Sequence, residues 1–149
     1  MAEETIYSEN FEILGNDFEH GGDVSARIKS TLKELGISSD VIRRLSIANF
    51  EAEMNVIMYA DKAELTFSLT DTQVSVQIKD EGQGIPDIEM AMQTGYSTAT
   101  PEMRARGFGA GMGLPNIKRN TDRFDIQSTV GVGTTLNYSI TLNQQAKNF

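Results

Sequence analysis

The chain of 149 residues contains no cysteine and one histidine, His20. Without cysteine, disulfides, thiolate catalysis and cysteine metal sites are excluded. A single histidine argues against a zinc site or a histidine-based triad, and we expect His20 to lie at the surface or in a loop. No apolar run approaches membrane-spanning length, and the acidic start lacks the basic region of a secretory signal. We therefore expect a cytoplasmic protein that does not contact membranes.

Positive charge is also scarce, since 13 Lys and Arg residues stand against 21 Asp and Glu residues for a net charge of -8. This balance disfavours a broad basic face and therefore nucleic-acid binding. Several cations nevertheless cluster in the second half of the chain: Arg104, Arg106, Lys118, Arg119 and Arg123. On charge alone, a solvated helix and loop face explains this cluster as well as a positive field suited to phosphate does.

Glycine is concentrated at alternate positions of one short stretch: Gly107, Gly109, Gly111 and Gly113. Helices and strands do not use glycine so densely, because each one loosens the backbone and adds no side chain to the packing. A helical pattern follows over residues 115–122, and exposed N–H groups before a helix form a cradle for phosphate. The run predicts nucleotide binding, although a plain flexible loop has the same composition. Its spacing is neither that of a dinucleotide fingerprint nor that of a P-loop.

Hydrophobic periodicity predicts an α+β chain of one domain, residues 1–149. An edge strand is expected at 5–14, followed by a helix at 24–35 capped by Asp23 and a longer helix from about 41 to 59. Two further pairs of strands are expected at 63–70 with 73–79 and at 124–129 with 134–142, with a short helix near 87–92. Because the strands occur in hairpin pairs, we predict a two-layer α/β sandwich. Its mixed, mostly antiparallel sheet should carry about three helices on one face.

The long predicted helix carries Glu51 and Asn55, which share a helix face because they lie four residues apart. A carboxylate can accept a proton or orient a nucleophile, and an amide oxygen is a hard ligand suited to Mg²⁺. Taken alone, the pair is better explained as an ordinary polar patch. Glu53 points to a different face, and we expect it to be structural.

Two glycine-containing turns follow. Asp80-x-Gly82-x-Gly84 ends a predicted strand, where a carboxylate can accept from the exocyclic amine of adenine and glycines let a flat ring lie against the backbone. A tight acidic turn is the common alternative. The second turn, residues 131–134, joins the last two strands and is a hairpin turn in any case. Each motif is weak by itself, but their order and spacing form a strong joint pattern.

This ordered pattern resembles the GHKL ATPase superfamily, which includes DNA gyrase, heat-shock chaperones, histidine kinases and MutL proteins. The resemblance spans residues 40–142. A bare domain of this size, with no helix pair carrying a phosphoacceptor histidine, is similar to the small serine/threonine kinases that regulate bacterial sigma factors. Residues 55–60, 80–86, 95–98 and 109–115 look most like the RsbT-type switch kinases. The stretch 99–106 is longer than in that type.

The resemblance implies the Bergerat ATP-binding fold, with ATP and Mg²⁺ between the long helix and a glycine-rich lid. Asn55 would bind Mg²⁺, and Glu51 would be the catalytic base or would orient a partner's hydroxyl. Asp80 would read the adenine amine, supported by Thr134 through a hydroxyl or a water. The other nucleotide-binding residues implied are Gly82, Gly84, Ile85, Ser97, Thr98, Gly109, Ala110, Gly111, Met112, Gly113 and Leu114.

The function implied is an ATP-dependent serine/threonine protein kinase of the anti-sigma regulatory type. It would transfer the γ-phosphate of ATP to a Ser or Thr of a small regulatory partner with a STAS-like domain. Other expected partners are a sigma factor or a phosphatase regulator. The sequence leaves open whether the chain forms a homodimer. The alternative is a non-catalytic, nucleotide-gated anti-sigma factor or partner switch. A stand-alone ATPase is less favoured.

Overall fold

The computed structural model describes residues 4–93 and 113–142. Over these residues five strands form one sheet in the order β1-β2-β3-β5-β4, and every pairing is antiparallel. The strands are β1 (Tyr7–Leu14), β2 (Ala60–Leu69), β3 (Gln73–Gly82), β4 (Arg123–Thr129) and β5 (Gly133–Thr141). The predicted α+β class is confirmed, but among the described strands the sheet is wholly antiparallel rather than mixed. Short hairpins join β2 to β3 and β4 to β5, and such connections force antiparallel pairing.

Within the described residues, four α-helices accompany the sheet: α1 (Asp23–Glu34), α2 (Ser39–Tyr59), α3 (Ile88–Ala91) and α4 (Gly113–Arg119). A short 3-10 turn, Phe18–His20, precedes α1. The His20 side chain is 62% exposed and pairs with Asp17, so its predicted surface position is confirmed. No helix within the two described ranges is long and apolar enough to span a membrane.

The core lies between α2 and the inner face of the sheet. Alternate residues of β2 are buried, as strand geometry requires for a sheet that packs on one side. Helix α2 is buried over more than one stripe. The buried apolar residues of α2 are Val41, Ile42, Leu45, Ala48, Ala52, Met54, Val56 and Ile57. Such a helix is a rigid base for polar side chains that point elsewhere.

The N-terminus of α1 is capped from a distance, and the predicted Asp23 cap is wrong. Gly22 is the N-cap residue, at φ 97°, and the helix starts at Asp23 without a local side-chain cap. The Glu53 carboxylate on α2 accepts instead from the amides of Gly22 (3.0 Å), Val24 (3.3 Å) and Ser25 (3.0 Å), and from the Ser25 hydroxyl (2.7 Å). Glu53 is 1% exposed, which agrees with the structural role expected for it.

Helix α2 begins at a local side-chain cap and ends directly at the sheet. Ser38 caps its start by accepting from the Val41 amide at 3.4 Å. The helix ends at Tyr59 and passes directly into β2 at Ala60, which pairs with Gly82 at the end of β3. The last turns of α2 therefore lie next to the turn that begins at Asp80.

Candidate functional site

The first part of the site lies where α2 meets the start of α4. Glu51 and Asn55 are half-buried on α2, and Gly113 is the first residue of α4. A Cβ placed on Gly113 would lie 3.3 Å from Asn55 Oδ1 and 3.5 Å from Glu51 Oε2. The structure thus brings three predicted site residues together and puts the α4 backbone against both polar side chains.

A fourth residue at this junction was not singled out from the sequence. Asn116 donates from Nδ2 to Glu51 Oε1 at 3.4 Å, and its own Oδ1 accepts from Arg119 at 3.1 Å. Asn116 lies three residues after Gly113, so it shares that face of α4. This spacing is the signal that could have identified it. Its amide fixes one oxygen of the carboxylate predicted to act as a base.

The second part of the site is the end of β3. Asp80 Oδ1 accepts from the Thr134 amide at 2.9 Å. Burial raises the pKa of the Asp80 carboxyl, and this hydrogen bond opposes the effect in part. The prediction gave Thr134 a contact with Asp80 through its hydroxyl or a water, and the structure shows a contact through the Thr134 main-chain amide. The hydroxyl of Thr134 instead contacts Ser128 Oγ at 2.8 Å.

The two glycine turns are interlocked. Gly84 is buried at φ +78°, and a Cβ there would lie 2.5 Å from the Thr129 carbonyl oxygen. A Cβ on Gly133 would collide with the Asp80 carbonyl oxygen. The Gly131 amide also donates to the Gln83 carbonyl at 2.9 Å. The backbones of the two turns therefore pack directly against each other. At Gly84 only glycine fits, because φ is positive and a side chain would collide with the Thr129 backbone.

Ala60 connects the two parts of the site. A Cβ on Gly82 would lie 3.2 Å from Ala60 Cα, and Ala60 directly follows the helix that carries Asn55. Ile85 lies at the end of the same turn and donates its amide to Ser128, and Leu114 packs against the core from α4. The other predicted site residues lie outside the described residues: Ser97, Thr98, Gly109, Ala110, Gly111 and Met112.

The residues present fit a magnesium-bound nucleotide. Asn55 offers one amide oxygen, and no group of three or more acidic, histidine or cysteine side chains within the described ranges could hold a metal by itself. Mg²⁺ commonly takes one or two protein ligands and completes its shell with water and substrate phosphates. The missing Cβ of Gly113 leaves space beside Asn55 Oδ1. This donor set suits an ion that arrives with its nucleotide.

Comparison with known proteins identifies the family. Residues 40–146 match the family described as histidine kinase-, DNA gyrase B- and HSP90-like ATPase. The chain belongs to this family. The match covers α2, the Asp80 turn, α4 and the last hairpin, and it confirms the GHKL resemblance of the motifs. Membership implies that the chain binds ATP.

Two curated relatives are similar over most of the chain. One is serine/threonine-protein kinase RsbT of Bacillus subtilis, 31% identical over 112 residues, covering 72% of this chain and 78% of RsbT. Another is the anti-sigma F factor of Caldanaerobacter subterraneus subsp. tengcongensis, 30% identical over 115 residues, covering 74% of this chain and 72% of that protein. These relatives confirm the predicted likeness to the RsbT-type and anti-sigma kinases.

A solved structure confirms the fold. The RsbU and RsbW domains of Rv1364c from Mycobacterium tuberculosis superimpose with a TM-score of 0.62 at 16% identity. The superposition covers 95% of this chain, which spans 34% of that longer one. The predicted Bergerat sandwich is confirmed.

Proposed function

We propose that this chain transfers the γ-phosphate of ATP to a Ser or Thr hydroxyl of a small regulatory protein with a STAS-like domain. The kinase class predicted from the motifs is confirmed by the relation to RsbT and by the family match. Relatives named as anti-sigma factors imply that the chain acts on protein partners. The STAS-like acceptor, and a sigma factor or phosphatase regulator as further partners, are the finer part of the proposal.

The observation that carries the proposal is the close approach of Glu51 and Asn55 to Gly113 of α4, where a Cβ would lie 3.3 Å from Asn55 Oδ1 and 3.5 Å from Glu51 Oε2. The side chains that we assign as base and magnesium ligand lie beside this backbone, whose amides would suit phosphate. Mg²⁺, when bound, would neutralise phosphate charge, and Asn55 Oδ1 would hold it. Phosphoryl transfer needs mainly positioning and charge neutralisation. A small set of residues is therefore sufficient.

Glu51 has the central role in the transfer. Its carboxylate would orient the acceptor hydroxyl and take its proton as the hydroxyl oxygen bonds to the γ-phosphorus and the bond to ADP breaks. Asn116 holds one carboxylate oxygen at 3.4 Å. In the second part of the site, the Asp80 carboxylate would accept a hydrogen bond from the adenine amine. The Thr134 amide donates to Oδ1 of the same carboxylate and holds it in place. An ionised Asp80 carboxylate accepts hydrogen bonds but cannot donate them, which favours a base that donates a hydrogen bond over one that presents a carbonyl.

The test is transfer of radiolabelled phosphate from ATP to purified STAS-domain proteins of the source organism. Glu51→Gln should lower transfer by about 100-fold or more, the typical contribution of a general base, and should leave ADP affinity within about twofold. Glu64→Gln is the matched control, because Glu64 is exposed on β2. It should transfer at the wild-type rate.

Three outcomes would contradict the proposal. Equal labelling by wild type and Glu51→Gln would remove the role assigned to Glu51. ATP-dependent capture of a partner by wild type without any labelling would favour the non-catalytic partner switch instead. Failure of the wild type to bind ATP or ADP with Mg²⁺ at millimolar concentration would refute the nucleotide site itself.

A further inference from the structure

The Ser128 hydroxyl joins the two glycine turns. Ser128 lies on β4, and its Oγ accepts from the Ile85 amide at 2.7 Å. The same hydroxyl lies 3.2 Å from the Gly133 carbonyl oxygen and 2.8 Å from Thr134 Oγ1. One side chain therefore contacts the end of the Asp80 turn and two consecutive residues of the β4–β5 hairpin.

Ser128 stands out because it is polar on an apolar face. Phe124, Ile126 and Ser128 alternate along β4 and are half-buried, while the residues between them are exposed. The first two pack against the core. A third apolar residue would extend that packing, but it would offer no acceptor to the Ile85 amide, and this part-buried amide would lose its hydrogen-bond partner.

We propose that Ser128 is a positioning residue for nucleotide recognition, which fixes the Asp80–Ile85 turn on the hairpin and thereby orients Asp80 toward adenine. Two paths lead from its hydroxyl to Asp80. One runs through Ile85 and Gly84 along the turn. The other runs through Thr134, whose amide donates to Asp80 Oδ1 at 2.9 Å. The inference rests on the proposed function only in taking Asp80 as the residue that reads the base.

Preorganisation explains why this contact affects selectivity. Binding is weakened when a loop must be ordered at the moment the ligand arrives. If the Ser128 hydroxyl is absent, the turn loses the acceptor for the Ile85 amide, while the close contacts of Gly84 and Gly133 remain. The expected defect is therefore in reading the base and not in the fold or in the contacts to phosphate.

The decisive experiment compares Ser128→Ala with the wild type by calorimetry, using Mg-ADP and Mg-GDP as ligands. We expect about a tenfold loss of ADP affinity, which corresponds to a hydrogen bond or slightly more. The GDP affinity should change by less than about twofold, because Asp80 does not favour guanine at that position. The ratio of ADP affinity to GDP affinity should therefore fall by about tenfold.

Two variants separate this effect from general damage. Ser128→Thr keeps the hydroxyl and should retain the wild-type preference for adenine. Ser68→Ala is the matched control, since Ser68 contacts Ser8 at 3.4 Å on an exposed part of β2, and it should bind both nucleotides as the wild type does. An equal loss of ADP and GDP affinity in Ser128→Ala, or an unchanged ADP affinity, would overturn the proposal.

Amide hydrogen exchange tests the contact itself in the absence of nucleotide. Ser128→Ala should speed exchange of the Ile85 amide about tenfold or more, with the central β3 amides unchanged. Unchanged exchange at Ile85 would overturn the proposal even if kinase activity were found. Conversely, faster exchange at Ile85 in a protein that binds no nucleotide would contradict the proposed function and leave the structural role of Ser128 standing.

Discussion

Burial raises the pKa of the Asp80 carboxyl, and the hydrogen bond from the Thr134 amide only partly offsets the rise. A raised pKa means that the folded state holds this proton more tightly than the unfolded state does. The ionised carboxylate therefore costs folding free energy, and stability falls as the pH rises from the usual aspartate value of 3.8 through the raised pKa. Above that pKa the cost is constant.

Asp80→Asn should consequently stabilise the free protein and weaken its binding of adenine. At neutral pH we expect the Tm to rise by about 2 °C, which for a chain of this length corresponds to somewhat under 1 kcal/mol. The gain should shrink as the pH is lowered toward 3.8. Calorimetric scans at several pH values measure it, and Asp125→Asn, at an exposed position on β4, is the control. A less stable Asp80→Asn protein at neutral pH would contradict the prediction.

Single residues were predictable from the sequence to different degrees. Glu51, Asn55 and Asp80 could be selected because their motifs have a fixed order and spacing. Ser128 could not, because a serine on a strand has no distinctive neighbours in sequence, and the only sequence signal for Asn116 is its spacing of three residues from Gly113. Their hydrogen bonds depend on which strands pair and how two helices face each other. The contact of the Thr134 amide with Asp80 depends on register in the same way.

At the scale of elements, the attachment of α1 to α2 depends on the buried Glu53 carboxylate. Glu53→Ala should lower the free energy of unfolding by about 3–5 kcal/mol, because buried amides of α1 lose their acceptor and a cavity remains. Glu53→Gln keeps one acceptor oxygen and should cost about 1–2 kcal/mol. Urea denaturation measures both, with Glu64→Gln expected within about 0.5 kcal/mol of the wild type. A loss below about 1 kcal/mol in Glu53→Ala would show that α1 is not held this way.

The elements themselves followed largely from periodicity. Alternation predicted the β2–β3 hairpin, although the strands extend to Ala60 and Gly82, beyond the alternating stretch. That extension includes a register shift between Ala60 and Lys62, which periodicity does not reveal. The cap of α1 was misassigned for a different reason. Asp23 has the right residue type, but an acceptor from another helix occupies the position, and local rules consider only neighbours in sequence.

At the scale of the whole molecule, ligand binding and folding are linked. A ligand that binds only the folded state adds about 2.7 kcal/mol of stability at 100 times its Kd. For this chain length, saturating Mg-ADP should therefore raise the Tm by about 5–10 °C. Glu51→Gln should keep that rise, because Glu51 is assigned to transfer and not to nucleotide binding. The thermal assay and the transfer assay together therefore separate loss of binding from loss of catalysis.

The Gly113→Ala variant uses this link between binding and stability to test whether the nucleotide binds at the junction of α2 and α4. Gly113 lies in helix α4, where alanine is compatible with the backbone, so the variant should leave the Tm of the free protein unchanged or slightly higher. The added methyl group would lie 3.3 Å from Asn55 Oδ1, where a magnesium-bound nucleotide needs space. We therefore expect at least half of the rise with Mg-ADP to be lost. A full rise in this variant would show that the nucleotide does not use the junction of α2 and α4, whereas a large fall in the Tm of the free protein would show that Gly113 serves the fold.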